Sequence, residues 1–301
     1  MEITEYLSRE ELVGFKQKSN VKAFAMLFAN WACIFAIFAF AYIWPNPITI
    51  VLAMALLAGR QLGLAILMHD AGHNLLFETK PLNQFIGQWF CANPVFQDLP
   101  SYARGHLRHH KMAGTPEDPD LNNYRHYPIK KDSFIRKVKR DLSGQTGWKL
   151  LKLILVNAAG IFSREKRKNA GPFVQELFVQ LVLLAVLTLT MSPWLYLLWV
   201  GSWLTFHMLI IRLRQVAEHA AVEDLLDKDP RKNTRTTIPN LLERIFIAPN
   251  YVNYHLEHHF FIGVPCYQLG NLHRHLKSAG AYSDTKIVYG YRQVLREAII
   301  F

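Results

Sequence analysis

The chain has 301 residues, of which half are apolar, and this length suits one large domain or two small ones. Its formal net charge is +11, an excess found in nucleic-acid-binding proteins and in membrane proteins with basic loops on one side. The three cysteines, Cys33, Cys91 and Cys266, are far apart in the sequence. Their spacing excludes a zinc ribbon, a cysteine-ligated iron–sulfur cluster and a disulfide framework.

Two long apolar runs follow the N-terminal segment. Residues 1–20 are charged and polar, so no cleavable signal peptide is expected, and we expect this segment to be a cytoplasmic N-terminus. Residues 23–44 carry no charged side chain, which gives about the twenty apolar residues that a membrane-spanning helix requires. A PNP motif then precedes a second apolar run, 48–68, in which Arg60 is the only charged residue. The runs predict a helical hairpin over 21–68, with Arg60 facing protein or a water-filled cavity and taking no part in catalysis.

The next segment, 69–172, is expected to form the first part of a cytoplasmic cap. Lys and Arg crowd residues 104–168, including the REKRK run at 164–168, and the positive-inside rule places this segment and both termini in the cytoplasm. Because topology explains the basic excess, we expect no nucleic-acid partner. Stretches 81–96 and 147–162 mix large apolar side chains with polar or basic ones and are predicted to lie at the headgroup level.

A second hairpin is predicted over 173–211. Residues 177–191 are uncharged, an SP dipeptide interrupts them, and 194–211 form the return span. Residues 212–301 would complete the cap. The sequence therefore predicts a single all-α domain, an integral membrane protein with four transmembrane helices in two hairpins and a cytoplasmic helical cap. A soluble all-α protein is the alternative, but four long uncharged runs are hard to bury in a soluble core of this size.

Most of the thirteen histidines fall into tight groups on the predicted cytoplasmic side. These are His69 and His73 in HDAGH, His106, His109 and His110 in GHLRHHK, His219 in QVAEHA, and His255, His258 and His259 in HLEHH. Helical residues at i, i+3 and i+4 share one face, with Cβ atoms about 5–6 Å apart. Their imidazoles can therefore converge on metal ions bound at about 2.1 Å. The spacing predicts a histidine metal site.

The number and type of these ligands restrict the metal. Imidazole suits zinc, copper, iron and nickel, and eight or nine histidines exceed what one ion can bind, so two ions are implied. The sequence has neither an H-E-x-x-H zinc protease motif nor the E-x-x-H motif of the soluble di-iron carboxylate bundles. A pair of irons held by histidine fits best, and zinc remains an alternative on charge and ligand count.

HDAGH, GHLRHHK and NYHLEHHFFIGVP together resemble the three histidine boxes of the membrane fatty acid desaturase superfamily, especially its short bacterial members. The resemblance runs from about residue 60 to about residue 276 and includes TPEDPDL, RLRQVAEHA and NTRTT. It implies a di-iron centre ligated by His69, His73, His106, His109, His110, His219, His255, His258 and His259. Gln215 stands where some relatives have an Asn that holds a metal-bound water. His255 stands where front-end desaturases have Gln, which disfavours that subgroup.

Polar side chains near the boxes are expected to orient the imidazoles. The candidates are Asp70, Asp118, Asp120, Gln215, Glu218, Asn253, Glu257 and His273. For the acidic residues and Asn253, the alternative is a solvated turn or a helix cap. Among the other histidines, His126 is predicted to lie in a surface loop, His207 to be a packed polar residue of the fourth span, and His275 to be exposed.

The resemblance also implies the reaction. Such enzymes use O2 and two electrons to remove hydrogen atoms from adjacent carbons, so no separate catalytic acid or nucleophile is expected. The implied substrate is a fatty acyl chain on coenzyme A, carrier protein or phospholipid. Electrons would come from an external ferredoxin-like or b-type cytochrome donor with its reductase. The implied location is a bacterial inner membrane.

Three alternatives remain open at this stage. One is a hydroxylase- or ketolase-type monooxygenase of the same superfamily, because the oxidant would be the same. Another is a desaturase of a small non-lipid metabolite. A metal-transporting or haem-carrying membrane protein is disfavoured, because the histidines cluster beyond the predicted span ends rather than within the spans.

Overall fold

The computed structural model describes residues 3–159 and 170–301, and this part of the chain is mostly helical. Its α-helices are α1 (Arg9–Phe15), α2 (Asn20–Ile43), α3 (Pro47–Gly72), α4 (Lys80–Ile86), α5 (Leu99–Met112), α6 (Leu121–Tyr124), α7 (Lys131–Leu142), α8 (Gln145–Ala159), α9 (Ala170–Thr190), α10 (Trp194–Ser202), α11 (Met208–His219), α12 (Pro230–Asn233), α13 (Leu241–Phe246), α14 (His255–Phe260), α15 (Cys266–Ser278) and α16 (Tyr291–Ala298). The described strands are β1 (Ile129–Lys130), β2 (Thr237–Ile238), β3 (Val288–Tyr289) and β4 (Ile299–Ile300). β1 pairs in parallel with β4, and β2 with β3. The predicted all-α class is confirmed.

Within the described residues, four helices are long and apolar enough to cross a membrane, as predicted. They comprise α2, α3, most of α9, and the helix Trp194–His219 that α10 and α11 form with an intervening π-helical turn. The local sequence explains why α3 begins at the first hairpin turn. The Asn46 side chain caps α3 by accepting a hydrogen bond from the Thr49 N–H, and Pro47 suits the first helical turn, where its missing N–H has no partner to lose.

The fourth spanning helix is longer than predicted. The sequence placed its end at residue 211 and His219 beyond it, whereas the helix continues without a break to His219. Its charged residues have partners, because Arg212 Nε lies 2.5 Å from the Asp141 carboxylate of α7 and Arg214 Nε lies 2.8 Å from Glu218, one turn further along the same helix. The charged residues after residue 211 therefore end the apolar segment, but the helix continues.

The helix α3 is the centre of the bundle. In α3, 56% of the most apolar 18-residue stretch is buried inside the protein, whereas the corresponding share in the third spanning helix is 17%. The helix α9 therefore faces mostly outward. Ala53, Leu57, Leu64 and Leu67 of α3 are fully buried in the largest hydrophobic core. Because α3 also contacts α2, α5 and the fourth span, its last turn lies where these elements meet.

The two stretches predicted at the headgroup level differ from each other. Residues 81–96 form most of α4, a π-helical turn (Gly87–Ala92) and a 3-10 turn (Asn93–Val95). Polar groups of these turns make hydrogen bonds within the bundle. Gln88 Nε2 donates to Asn93 Oδ1 (2.6 Å), and Gln180 of α9 donates to the Asn93 carbonyl (2.8 Å). Residues 145–159 form α8, which exposes Trp148. The end of the second stretch and the basic run 164–168 lie outside the described residues.

Candidate metal centre

Four helix segments bring the predicted histidines to one end of the bundle. His69 lies in the last turn of α3, and His73 is its C-cap. Three histidines project from α5, His219 ends α11, and three more project from α14. All nine imidazoles proposed as ligands are thus in one region.

The nine histidines divide into two clusters. The five-histidine cluster consists of His69, His73, His106, His110 and His258, and the four-histidine cluster consists of His109, His219, His255 and His259. Within each cluster, one ring nitrogen from every histidine lies within 4.8 Å of the others. The clusters abut, since the His110 and His259 ring centroids are 4.4 Å apart. This division is a finding of the structure that the sequence reasoning did not include.

The second and third boxes each contribute to both clusters. On α5, His106 and His110 join the five-histidine cluster, whereas His109 joins the other. The third box reverses this pattern, because His258 of α14 joins the five-histidine cluster and its two neighbours join the four-histidine cluster. The helical repeat explains the division: residues four apart differ by about 40° around the axis, and adjacent residues by about 100°.

Nitrogen atoms face one another within each cluster. His110 Nε2 lies 2.9 Å from both His106 Nε2 and His258 Nε2 in the five-histidine cluster. In the four-histidine cluster, His255 Nε2 lies 2.8 Å from His219 Nε2 and 3.1 Å from His259 Nε2. When two nitrogens each lie about 2.1 Å from a metal and the N–metal–N angle is a right angle, the nitrogens are about 3.0 Å apart. The observed spacing therefore fits nitrogens that share an ion.

Six of the nine histidines are neutral in this environment. Burial, reinforced by repulsion from neighbouring histidines, lowers the pKa of His73 to about 3 and that of His110 to about 2. The same causes lower the pKa values of His106, His255, His258 and His259 well below the usual value. Neutral imidazoles keep a lone pair for a metal.

One buried nitrogen supports the same fit. His73 Nε2 is buried and has no hydrogen-bond partner among the described residues. Buried polar atoms are normally paired, because leaving one unpaired costs free energy. A cation at the centre of the five-histidine cluster would give this nitrogen a partner.

Asp118 orients His109. Its carboxylate accepts a hydrogen bond from His109 Nδ1 (2.8 Å), another from the Asp120 N–H (2.9 Å) and a very short one from the Tyr124 hydroxyl. Burial alone would raise the pKa of Asp118, but the hydrogen bonds from His109 and Tyr124 outweigh it, so the pKa is lowered. The ionised carboxylate therefore fixes the proton on His109 Nδ1 and leaves Nε2 as the metal-binding atom.

Two further imidazoles have defined partners. His219 Nδ1 donates to the Asn233 carbonyl (3.0 Å), and because a carbonyl only accepts, Nε2 must carry the free lone pair. His69 Nδ1 lies 3.2 Å from Asp70 Oδ1, and the other oxygen of Asp70 accepts from the Cys266 N–H (2.6 Å). Asp70 thereby connects the end of α3 to the start of α15.

Other residues expected to orient the imidazoles are placed differently. Glu218 Oε1 lies 2.8 Å from Arg214 Nε and 3.7 Å from His255 Nδ1, and Asp120 Oδ2 lies 3.8 Å from His109 Nδ1. These two carboxylates act by charge at a longer distance than a hydrogen bond.

Glu257 contacts no histidine of the clusters. It is fully buried and accepts hydrogen bonds from His273 Nδ1 (2.5 Å), the Tyr282 hydroxyl (2.6 Å) and, by a shorter bond, the Thr236 hydroxyl. Neither Glu257 nor His273 makes a described hydrogen bond to an imidazole of the two clusters, so their role in orienting those imidazoles stays a prediction. Adjacent side chains on a helix point about 100° apart, so Glu257 faces away from the neighbouring histidines and anchors α14 instead.

Two amide residues have no identified partner. Gln215 is half-buried and makes no hydrogen bond to the described part of the chain. The Asn253 side chain is buried with both polar atoms unpartnered among the described residues, while its carbonyl accepts from the Thr237 N–H (3.1 Å). The structure therefore gives neither side chain a contact with the clusters.

The histidines outside the clusters follow the sequence predictions in part. His126 is exposed and His207 is buried in the fourth span, as predicted. His275 was predicted to be exposed but is half-buried, because its Nε2 lies 3.3 Å from the Tyr6 carbonyl and 3.6 Å from Glu11.

Sequence reasoning missed four groups: Tyr124, Thr236, Tyr282 and the Asn233 carbonyl. Asn233 and Thr236 belong to the NTRTT motif, which was recognised without a role. The tyrosines had no local signal, because they meet their partners only through tertiary packing.

The chain is similar to known proteins. Residues 43–291, which include all nine histidines, match the family described as fatty acid desaturase. The chain is 29% identical over 250 residues to dihydrorhizobitoxine desaturase from Bradyrhizobium elkanii, with 79% of this chain and 69% of that protein aligned. It is 35% identical over 82 residues to beta-carotene ketolase from Paracoccus sp. (strain PC1), with 26% of this chain and 33% of that protein aligned.

Proposed function

The chain belongs to the fatty acid desaturase family, and we propose that it is a membrane-bound, di-iron, O2-dependent desaturase. Its proposed substrate is a fatty acyl chain on coenzyme A, carrier protein or phospholipid, into which it introduces a C=C bond. The strongest support is the pair of abutting histidine clusters, which offers two adjacent all-nitrogen sites at the end of a membrane-spanning bundle.

The donor set supports iron. Imidazole nitrogen suits iron, copper, nickel and zinc, and the clusters contain no thiolate that would select a softer metal. Structural zinc is almost always four-coordinate, whereas the five-histidine cluster offers five nitrogens. The five-histidine and four-histidine clusters would supply one ion each.

The two histidine clusters would hold the irons, which would supply the oxidising power. The chemistry that they would supply when bound is the removal of two hydrogen atoms from adjacent carbons by O2 and two electrons, with two protons taken up and two waters formed. Asp118 and the Asn233 carbonyl keep His109 and His219 in the metal-binding tautomer. Glu257 anchors the helix that contributes to both clusters, and burial of that helix excludes bulk water from the centre.

Electrons would come from an external ferredoxin-like or b-type cytochrome donor with its reductase. The α5 helix supports this partner, because Arg104, Arg108 and Lys111 are exposed on the helix that carries the second box. An acidic carrier bound there would lie one helix width from the clusters.

We also propose that the protein lies in a bacterial inner membrane with its termini and clusters in the cytoplasm, as the positive-inside rule indicates. No nucleic-acid partner is proposed.

Two alternatives have specific support. The similarity to dihydrorhizobitoxine desaturase favours a small non-lipid metabolite as the alternative substrate. The shorter similarity to beta-carotene ketolase favours a hydroxylase- or ketolase-type outcome at the same centre. A haem protein is disfavoured, because neighbouring imidazoles pack with ring centroids 4.4–5.1 Å apart and leave no space for a porphyrin between them.

The test compares a bacterial host that expresses the protein with hosts that express His109→Ala or the exposed control His126→Ala. Lipids and polar metabolites are analysed by mass spectrometry after growth in air with a co-expressed electron donor. We expect a new acyl double bond with the unaltered protein and the control, and none with His109→Ala. A new hydroxyl or keto group, or a double bond in a polar metabolite, would replace the proposal by one of the alternatives. No new product from membranes that contain two irons per chain would contradict the acyl substrate.

A further inference from the structure

A groove on the side of the bundle carries two arginines. It lies between α2, α3 and α13, and is lined by Asn30, Arg60, Arg244, Asn250 and Tyr251. We call it the arginine groove. It is separate from the histidine clusters, and the proposed reaction gives it no role.

Neither arginine has a carboxylate partner among the described residues. Arg60 Nη2 donates to the Ile245 carbonyl (2.8 Å), which confirms that Arg60 faces protein. Arg244 is exposed and makes no described hydrogen bond from its side chain. Its neighbour Glu243 uses both oxygens elsewhere, accepting from the N–H groups of Asn240 (2.9 Å) and Tyr291 (2.8 Å). The groove therefore holds two uncompensated positive charges.

The arginine groove lies beside a membrane-spanning helix. Arg60 is thirteen residues after the start of α3 at Pro47, or about 20 Å of helical rise in a hydrocarbon layer of about 30 Å. Gly59 lets α13 pack closely at this level, because a Cβ there would lie 2.7 Å from the Ile245 carbonyl oxygen. A charge at this depth is costly unless it meets a polar partner.

The helix α13 has the character of an interfacial segment. Leu241 and Leu242 are 73% and 66% exposed, and Arg244 is exposed on the same short helix. Exposed aliphatic side chains beside a cation are typical of a helix at the headgroup boundary. Ala29 and Cys33, which also line the arginine groove, are exposed on the outer face of α2. The groove thus opens sideways to lipid.

We propose that the arginine groove binds the phosphate of a phospholipid from the leaflet on the histidine side of the membrane. Arg60 and Arg244 would donate to the phosphate oxygens, because guanidinium groups match phosphate geometry. The exposed aliphatic side chains of α13 and α2 would contact the acyl chains. This apolar surrounding favours a phospholipid over free phosphate, and basic pockets between membrane helices are known to hold lipid headgroups.

The experiment measures lipid binding by the purified full-length protein in detergent, using native mass spectrometry. The probes are dioleoyl phosphatidylglycerol, dioleoylglycerol, which has the same chains without phosphate, and inorganic phosphate. The variants are Arg60→Gln, Arg60→Lys and Arg244→Gln. Arg292→Gln is the matched control, since Arg292 is exposed and makes no described hydrogen bond.

We expect saturable binding of one phosphatidylglycerol, weakened roughly fivefold by each Gln substitution, partly restored in Arg60→Lys and unchanged in Arg292→Gln. Equal binding of dioleoylglycerol would show an apolar site that ignores phosphate and would overturn the proposal. Inorganic phosphate that displaces the lipid at equal concentration would also overturn it, in favour of a simple anion site. Should Arg60→Gln fail to fold, Arg244→Gln decides alone, and wild-type affinity in that variant would contradict the proposal.

Discussion

At the scale of single residues, the centre depends on which nitrogen of each imidazole carries the proton. His109 and His219 use different partners for this, a carboxylate in Asp118 and a backbone carbonyl at Asn233. Both arrangements leave Nε2 free to face the four-histidine cluster. A carboxylate also adds negative charge beside a cation, so the two partners differ in what their loss would cost.

Asp118→Asn should weaken metal binding in the four-histidine cluster by about 10- to 100-fold. The amide keeps the shape of the carboxylate but removes the charge that stabilises the His109 ring as a ligand. Iron affinity is measured by titration of the metal-free protein. The exposed Asp132→Asn variant is the control, and an Asp118→Asn affinity within twofold of that control would contradict the role assigned here.

The metal-free protein should lose stability as the pH falls below about 6.5, the ordinary pKa of histidine in an unfolded chain. The folded pKa of His73 is about 3, so between these values the unfolded chain binds protons that the folded chain excludes. Stability is therefore present above pH 6.5 and lost below it, by up to about 1.4 kcal/mol per pH unit for each such histidine. Thermal unfolding at pH 7.5 and 5.5, after chelation, measures this, and equal midpoints would contradict the buried neutral histidines.

The sequence was sufficient to choose the candidate histidines, because metal-binding spacing is a local property. It could not show that His109 and His110, adjacent in the chain, lie in different clusters. That division depends on how α5 and α14 are rotated against each other. For a related reason, the sequence could not show that Glu257 faces the opposite side of α14, where it accepts a hydrogen bond from His273.

At the scale of elements, α14 joins the two clusters. This six-residue helix contributes His258 to one cluster and His255 and His259 to the other. Its buried Glu257 anchors it to Thr236, His273 and Tyr282. Displacement of α14 should therefore disturb both sites together.

Glu257→Gln should lower the metal affinity of both clusters and destabilise the protein by about 1.5–3 kcal/mol, since it weakens hydrogen bonds to a buried charge. Asp118→Asn, by contrast, should affect one cluster. Iron content and thermal unfolding are compared with the exposed control Glu223→Gln. Loss of iron from one cluster only would argue against the anchoring role of Glu257.

The spanning helices were predicted well, except at the end of the fourth helix, where charged residues begin. Apolar length identified all four helices, and the PNP motif located the first turn. The end of the fourth helix was placed too early at residue 211, because Arg212 and Arg214 look like a boundary in sequence. Asp141 of α7 neutralises Arg212 through a tertiary contact that the sequence could not reveal, whereas Glu218 pairs with Arg214 one turn further along the same helix.

At the scale of the whole molecule, the clusters lie at one end of the membrane bundle. Both hairpin turns lie at the opposite end of the spanning helices from His69 and His219. The described basic segments are on the histidine side, so the positive-inside rule gives the molecule one expected orientation.

Cysteine labelling tests that orientation. In a Cys33→Ala background, Pro45→Cys lies in the first turn and Lys130→Cys lies in the cap, and both positions are exposed. A membrane-impermeant maleimide added to intact spheroplasts should label Pro45→Cys alone, because the proposed orientation puts the cap in the cytoplasm. Labelling of Lys130→Cys in intact cells would reverse the proposed topology.

The di-iron centre is tested most directly by an anomalous difference map from crystals of the purified protein, recorded on both sides of the iron absorption edge. We expect two iron peaks. One should lie among His69, His73, His106, His110 and His258, and the other among His109, His219, His255 and His259. A single peak, a peak outside these clusters, or a signal at the zinc edge alone would contradict a di-iron centre in which the second and third boxes each supply ligands to both metals.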